Sequence, residues 1–316
     1  MARIAIDHIL CPIDFSPQSQ QAYNYAVALA RWYDARITVI HVVATRPAVE
    51  TIPSIHAATL PPAAVDELRR TLARDLERYV RTPEASGLRI NVMVQEAPSV
   101  HQEILVQARM LDSDLIVIST HGLGGLDRLV LGSVTEQVLR HASAPVLVIP
   151  PHSTAATLSA TQVRFKRILC PVDFSTGSQA GLSYAISLAE EADAALTLLH
   201  VIDDLASDLT LSAKDVEVLQ QRCIDDLQRM IPADVSTYCS VDFVVSEGRP
   251  AREILSLATS RTTELIVMGV QGRNALDRLV FGSTTHAVIR AANCPILTVR
   301  CLERARLRDP QHRLEA

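Results

Sequence analysis

The chain is one unit written twice, and that repetition limits its fold more than any single motif does. Ile9-Leu-Cys-Pro-Ile-Asp14-Phe-Ser16 returns as Ile168-Leu-Cys-Pro-Val-Asp173-Phe-Ser175, 159 positions later, and His41-Val42 returns as His200-Val201 at the same spacing. Further on, Glu103-Ile104 matches Glu253-Ile254, and Leu126-Asp-Arg-Leu-Val-Leu-Gly132-Ser133 matches Leu276-Asp-Arg-Leu-Val-Phe-Gly282-Ser283, both now 150 apart. The first copy therefore carries nine extra residues between Val42 and Glu103. Insertions collect in surface loops, where they disturb no packing, and the Pro- and Ala-rich segment Pro47–Ala64 is where these are expected. Self-similarity on this scale implies two like domains, and 316 residues suffice for two cores of ordinary size. The boundaries read as 1–150 for the first domain and 165–302 for the second. Between them, 151–164 is a Pro/Ser/Thr/Ala linker without hydrophobic periodicity, and 303–316 is a C-terminal tail of mixed charge.

Each copy alternates strand and helix signals. In the first, Ile9–Ile13 is a short apolar run, Ala22, Tyr25, Ala26, Leu29 and Tyr33 recur at helical spacing, and Ile37–Val43 is β-branched. Val65, Leu68, Leu72, Leu76 and Tyr79 mark an amphipathic helix. Ile90–Val94 predicts a strand, and Val100, Ile104, Leu105, Ala108 and Leu111 predict a helix. Leu115–Ser119 and Val146–Ile149 are two further strands around a last helix carrying Val134, Val138 and Leu139. The second copy repeats the order, with strands near Ile168–Val172, Leu196–Val201, Val241–Val245, Leu265–Met268 and Ile296–Val299. Strands that are apolar throughout, separated by helices, predict a parallel sheet covered on both faces. The fold class is α/β: two tandem, doubly wound, five-stranded parallel-sheet domains.

Composition narrows the function classes. Hydrophobic residues at 48% and charged residues at 21% belong to a globular chain rather than a disordered one. Arg3 and Asp7 interrupt any leader-like apolar run, and the longest uncharged stretch, Ala142–Val163, is too rich in Ser, Thr and Pro to span a bilayer. No membrane segment is expected. A net charge of −5 with 4% aromatics argues against a broad electrostatic or base-stacking surface, so no nucleic-acid partner is expected either. The cysteines, Cys11, Cys170, Cys223, Cys239, Cys294 and Cys301, form no C-x-x-C pair and read as reduced core thiols of a cytoplasmic protein.

In an open doubly wound sheet a ligand lies beyond the carboxyl ends of the strands, where the strand order reverses. For the order 3-2-1-4-5 that crevice falls between strands one and four. Strand one is followed by Asp14 in the first copy and Asp173 in the second. Strand four is followed by Ser119-Thr-His-Gly122 and by Gly269-Val-Gln-Gly272, and Gly132-Ser133 and Gly282-Ser283 then open the last helix. Glycine lets the backbone come close to a ligand. Gly-Ser at a helix N-terminus offers N–H groups, a hydroxyl and the positive end of the dipole to an anion. Simple capping is the rival reading, since Ser133-Val-Thr-Glu136 fits a capping box.

The second copy's Gly269-x2-Gly272-x9-Gly282-Ser283 resembles the nucleotide-binding signature of the universal stress protein family. Pro-Val-Asp173, His200-Val201, Gly248-Arg-Pro-Ala-Arg-Glu-Ile254 and Pro295 before the last strand are similar to that family too. The resemblance spans both copies and implies a tandem member of its ATP-binding branch, with an adenine nucleotide alpha hydrolase-like fold. It implies that the loop glycines and Gly-Ser hold phosphates and ribose, while the Asp and the residue after the His surround the adenosine. Carried over, the site residues are Asp173, Val201, Gly269, Gly272, Gly282, Ser283 and Thr284 in the second copy. In the first they are Asp14, Val42, Ser119, Gly122, Gly132, Ser133 and Val134. The implied cofactor is ATP, with Mg²⁺ or Mn²⁺ carried by the phosphates. The first copy departs at Ser119 and at Ala97, which stands opposite Gly248; a Cβ at either place adds bulk beside a phosphate, yet both residues are small. The resemblance also implies that Val146–Ile149 and Ile296–Val299 pair antiparallel as an intrachain pseudo-dimer; whether two chains associate further is left open by the sequence, with a homodimer the expectation.

Rival nucleotide folds fit poorly. The only lysines, Lys166 and Lys214, do not follow a glycine, which excludes a P-loop. Pro-x-Asp-Phe-Ser occupies the place of a Rossmann G-x-G-x-x-G, and no PP-loop Ser-Gly-Gly turn exists there. His41 and His200 read as packing or hydrogen-bonding residues. His121 is replaced by Gln271, while Arg128 and Arg278 face a phosphate or pair with Asp127 and Asp277. Matched positions assemble no nucleophile, base and orienter. The expectation is an ATP-binding regulatory protein of the stress response with at most slow ATP hydrolysis; the alternatives are a weak ATPase or a nucleotide-free scaffold for another small ligand.

Overall fold

A computed structural model of the chain describes residues 3–45, 62–120, 131–151, 153, 165–203, 213–270, 282–300 and 307–308. The first copy runs β1 (Arg3–Ile4), β2 (His8–Pro12), α1 (Pro17–Tyr33), β3 (Arg36–Ala44), α2 (Pro62–Val80), β4 (Ile90–Ala97), α3 (Val100–Met110), β5 (Leu115–Ser119), α4 (Ser133–His141) and β6 (Val146–Ile149). The second runs β7 (Arg167–Pro171), α5 (Thr176–Ala192), β8 (Ala195–Ile202), α6 (Ala213–Met230), β9 (Ser240–Glu247), α7 (Pro250–Ser260), β10 (Leu265–Gly269), α8 (Ser283–Ala291) and β11 (Ile296–Val299). A last short strand, β12 (Leu307–Arg308), lies in the tail. Most of the extra segment of the first copy, 46–61, most of the linker and most of the tail lie outside the described residues.

One sheet of ten strands crosses both copies in the order β4-β3-β2-β5-β6-β11-β10-β7-β8-β9. Each half has the order 3-2-1-4-5 with parallel neighbours, as the alternating signals predict. The central strands β5 and β6 are buried at every residue, which is why they read as unbroken apolar runs. Helices cover both faces. Leu76, Ala26, Leu182 and Leu227 bring α2, α1, α5 and α6 onto one core, and Ile104, Val138, Val288 and Ile254 bring α3, α4, α8 and α7 onto the other.

The helix that follows strand one starts and stops alike in both copies. Ser16 caps α1, its hydroxyl accepting the Ser19 N–H at 3.1 Å, and Ser175 caps α5 with Ser178 at 3.2 Å. Both helices end at a left-handed aspartate, Asp34 at φ 53° and Asp193 at φ 48°.

At the seam β6 and β11 run antiparallel, with Ile296 opposite Val148, Leu297 opposite Leu147 and Thr298 opposite Val146. The Thr298 hydroxyl donates to the Val146 carbonyl at 3.1 Å. Since each half is internally parallel, the carboxyl ends of their strands point to opposite ends of this seam. The tail also takes part: β12 pairs antiparallel with β1, Ile4 opposite Leu307, so the end of the chain returns to its start. Strands of two residues carry no periodicity, and nothing in the tail's composition marks them.

His8, which replaces the matching Arg167, is 2% exposed. A carbonyl only accepts, so Nδ1–H donates to the Leu111 carbonyl at 2.9 Å, and Nε2 accepts from the Thr38 hydroxyl at 2.8 Å. Burial pushes its pKa below the ordinary 6.5, against the upward pull of the Leu111 carbonyl. The unfolded chain then takes up a proton that the folded one refuses, so this site's stability is full above about pH 6.5 and falls as the pH drops below it. The urea midpoint is expected to fall on acidification from about pH 7 to pH 5, and less steeply in His8→Gln; equal slopes would contradict the assignment.

Candidate functional site

The tip of strand one is built the same way twice. Asp14 Oδ1 accepts the Ser16 N–H at 3.0 Å and the Ser16 hydroxyl at 2.6 Å, and Asp173 accepts the same pair from Ser175 at 3.0 and 2.5 Å. The turn this closes puts the intervening residue in the left-handed region, Phe15 at φ 63° and Phe174 at φ 62°. For a residue with a bulky side chain that conformation costs about 1–3 kcal/mol and persists only when its surroundings enforce it. Here the enforcement is visible. Phe15 lies on the His41 ring, centroids 4.9 Å apart, and Phe174 on His200 at 4.6 Å. Each histidine donates Nδ1–H to the carbonyl that precedes the aspartate, Ile13 or Val172, at 2.7 Å. The two histidines are therefore braces. The left-handed phenylalanines escaped the sequence reasoning, although the repeated Asp-Phe-Ser was their signal.

The tip of strand four is tied to the last helix. Thr120 donates its N–H to Ile149 at 3.1 Å and its carbonyl accepts the Gly132 N–H at 2.8 Å; Val270 repeats this with Val299 at 3.0 Å and Gly282 at 3.2 Å. Thr135 and Thr285 add hydroxyl bonds to the Ser119 and Gly269 carbonyls, at 2.7 and 3.3 Å. These bonds hold the N-termini of α4 and α8 against β5 and β10, which lie beside β2 and β7. The topology thus brings Asp14 together with Gly132-Ser133, and Asp173 with Gly282-Ser283. Val42 and Val201 follow the braces on the neighbouring strands β3 and β8, half-buried on the α3 and α7 side. Val134 and Thr284 are the second residues of α4 and α8 and are half-buried, while Ser133 and Ser283 are exposed. Gly122 and Gly272, with His121, Gln271, Arg128 and Arg278, lie outside the described residues.

Two sequence expectations need correction, and one glycine gains a packing role. The capping box does not form: Gly132 is the N-cap and Ser133 the first helical residue, so Glu136 sits one place too far along and pairs with Arg140 at 2.8 Å. Gly269 has a packing role that the sequence reading did not give it. A Cβ there would meet the Gly177 carbonyl oxygen at 2.2 Å, and one at Gly181 would meet the Gly269 nitrogen at 2.9 Å. These glycines let α5 approach β10; the first copy has Gln18, Ala22 and Ser119 in their places. Ala97 is the last residue of strand β4, and the residue 150 positions before Gly248 is Pro98; two residues join strand to helix in both copies, Pro98-Ser99 and Gly248-Arg249, and Gly248 turns at φ 132°.

Gly282 is the opposite case. Its backbone, φ −61° and ψ 136°, suits any residue, and a Cβ would make ordinary contacts of 3.5 Å to the Val270 carbonyl and 3.6 Å to Thr285 Oγ1. Gly132 has the same conformation, φ −59° and ψ 136°. With glycine as the N-cap, no side chain caps either helix, and the dipole's positive end faces the crevice.

Cys11, Cys170, Cys239 and Cys294 are buried free thiols, and burial pushes Cys170 and Cys294 up to about 12, so they stay protonated. Among the described residues no cluster of His, Cys, Asp or Glu could hold a metal ion, and no described helix is long and apolar enough to cross a membrane.

The sequence model of the universal stress protein family matches twice, over residues 5–150 and 164–300. The chain belongs to the universal stress protein family. A universal stress protein of Mycolicibacterium smegmatis is 27% identical over 301 residues, covering 92% of this chain and 96% of its own. One from Mycobacterium tuberculosis is 26% identical over the same span, with the same coverage. The crystal structure of a universal stress protein from Archaeoglobus fulgidus superposes with a TM-score of 0.66 at 20% identity, covering 95% of this chain and 98% of that one. At that identity the likeness concerns the fold. This universal stress protein therefore shares a doubled plan with relatives of similar length.

Proposed function

We propose that each copy binds an adenine nucleotide, ATP, at the carboxyl ends of strands one and four, and that occupancy regulates a conformation or a partner in the stress response. The observation that carries this reading is Gly282: neither its backbone nor its packing requires glycine, yet both copies place one at the helix N-cap. The requirement then comes from what approaches the crevice. Main-chain N–H groups at a helix start, a neighbouring serine hydroxyl and the dipole suit phosphate oxygens. Asp14 and Asp173, clamped by Ser16 and Ser175, present a carboxylate on the strand-one side, suited to ribose or base hydroxyl and amino groups. A divalent cation, Mg²⁺ or Mn²⁺, would enter on the phosphates and offset their charge. Regulation requires that two states of the protein bind ATP with different affinity.

On the same reading the two copies form an intrachain pseudo-dimer through β6 and β11, within a cytoplasmic protein. Equilibrium dialysis with labelled ATP is the direct test, and one nucleotide per copy is the expected result. No binding by the intact protein would remove the proposal. Mass spectrometry of ligand released from the purified protein would show whether another small molecule takes the place instead.

A further inference from the structure

We propose that Arg300 couples the two crevices, so that nucleotide held between β7 and β10 changes how the crevice between β2 and β5 holds its own. The inference rests on the nucleotide reading above and adds regulation to it. Arg300 follows the last residue of β11, and its Nη2 donates to the carbonyls of Leu139 and Arg140, at 3.2 and 2.5 Å. Those carbonyls belong to the last turn of α4, whose first residue is Ser133 of the other crevice. A helix of nine residues is about 13 Å long and moves as a unit, so a shift of its last turn reaches its first.

On its other side Arg300 is tied to the second crevice. The carbonyl of Val299 accepts the Val270 N–H at 3.0 Å, and the carbonyl of Val270 accepts the Gly282 N–H at 3.2 Å. From Ser283 through Gly282, Val270, Val299 and Arg300 to α4 and Ser133, every link is therefore a covalent bond or one hydrogen bond. The antiparallel seam makes this possible, because it sets the carboxyl end of β11 beside the final turn of α4. Among the described residues the matching position offers no return connection. The residue matching Arg300 in the first copy is Pro150, which has no side-chain donor to offer α8.

The guanidinium is half-buried, and burial lowers its pKa, so it gains from carbonyls at the negative end of a helix dipole. Arg300 docked on α4 and Arg300 released are two discrete arrangements. A nucleotide that orders Gly282, Val270 and Val299 favours the docked one, and linkage makes the effect reciprocal.

The test uses the full chain carrying Gly132→Asp, which blocks the first crevice, with and without Arg300→Gln. Amide hydrogen exchange is followed in 133–142 before and after ATP is added. ATP is expected to slow exchange in the last turn of α4 by about fivefold, the low end of coupling factors, and to leave it unchanged in Arg300→Gln. Arg300→Lys, which keeps a charged donor, is expected to retain part of the slowing and serves if the glutamine variant does not fold. Equal slowing with and without Arg300, or none with it, overturns the coupling while ATP still binds. Loss of all ATP binding by the Gly132→Asp chain in dialysis overturns the nucleotide reading itself.

Discussion

Gly282→Asp is expected to weaken ATP binding in the second crevice about a hundredfold or more, which is about 2.7 kcal/mol, and to leave the fold intact. Two effects act on binding. The side chain fills the approach to the α8 N-terminus and its oxygen competes for the helix N–H groups meant for phosphate. Its charge then repels the phosphates; two like charges about 4 Å apart near a protein surface cost about 4 kcal/mol before salt screening, enough for the stated loss. Folding behaves differently. The new Cβ meets only the Val270 carbonyl at 3.5 Å and Thr285 Oγ1 at 3.6 Å, and aspartate is as good an N-cap as any, within a few tenths of a kcal/mol of glycine. Dialysis should show bound ATP falling from two per chain to one, with an unchanged urea midpoint. Undiminished binding would place the nucleotide elsewhere.

Gly269→Ala should do the reverse and damage folding first. The Cβ would lie 2.2 Å from the Gly177 carbonyl oxygen and 2.8 Å from the Ser178 nitrogen, both backbone atoms of α5. Helix and strand must move apart, and overpacking of this kind costs about 3 kcal/mol or more. The matching Ser119→Ala in the first copy removes one hydroxyl where a Cβ is already housed, and about 1 kcal/mol is expected. Urea denaturation of the two variants side by side checks the contrast. Equal midpoints would mean that α5 has room to withdraw, and that the glycine has another purpose.

These two glycines show how far a sequence can be read. Both belong to one signature and look alike as letters, yet Gly269 is pressed against a helix while a Cβ at Gly282 would make only ordinary contacts. The direction of a Cβ depends on which element packs behind it. The same holds for Ser133: its spacing to Glu136 suits a capping box, but whether a serine is the N-cap or the first helical residue is settled by the bond from Gly132 to Thr120. His41 and His200 were correctly read as hydrogen-bonding residues, whereas their part in holding Phe15 and Phe174 left-handed needed the coordinates.

The sequence alone determined the duplication and the alternation of strands and helices, because hydrophobic period and repeat spacing are properties of neighbouring residues along the chain; the 3-2-1-4-5 order, assumed from what is common in five-stranded sheets, was settled by the strand pairing. Tertiary structure alone decided which glycine serves packing, how the tail reaches β1, and that Arg300 closes on α4 where Pro150 offers nothing to α8. Those outcomes depend on which backbone atoms meet across the seam or between layers, a distance that no local pattern records.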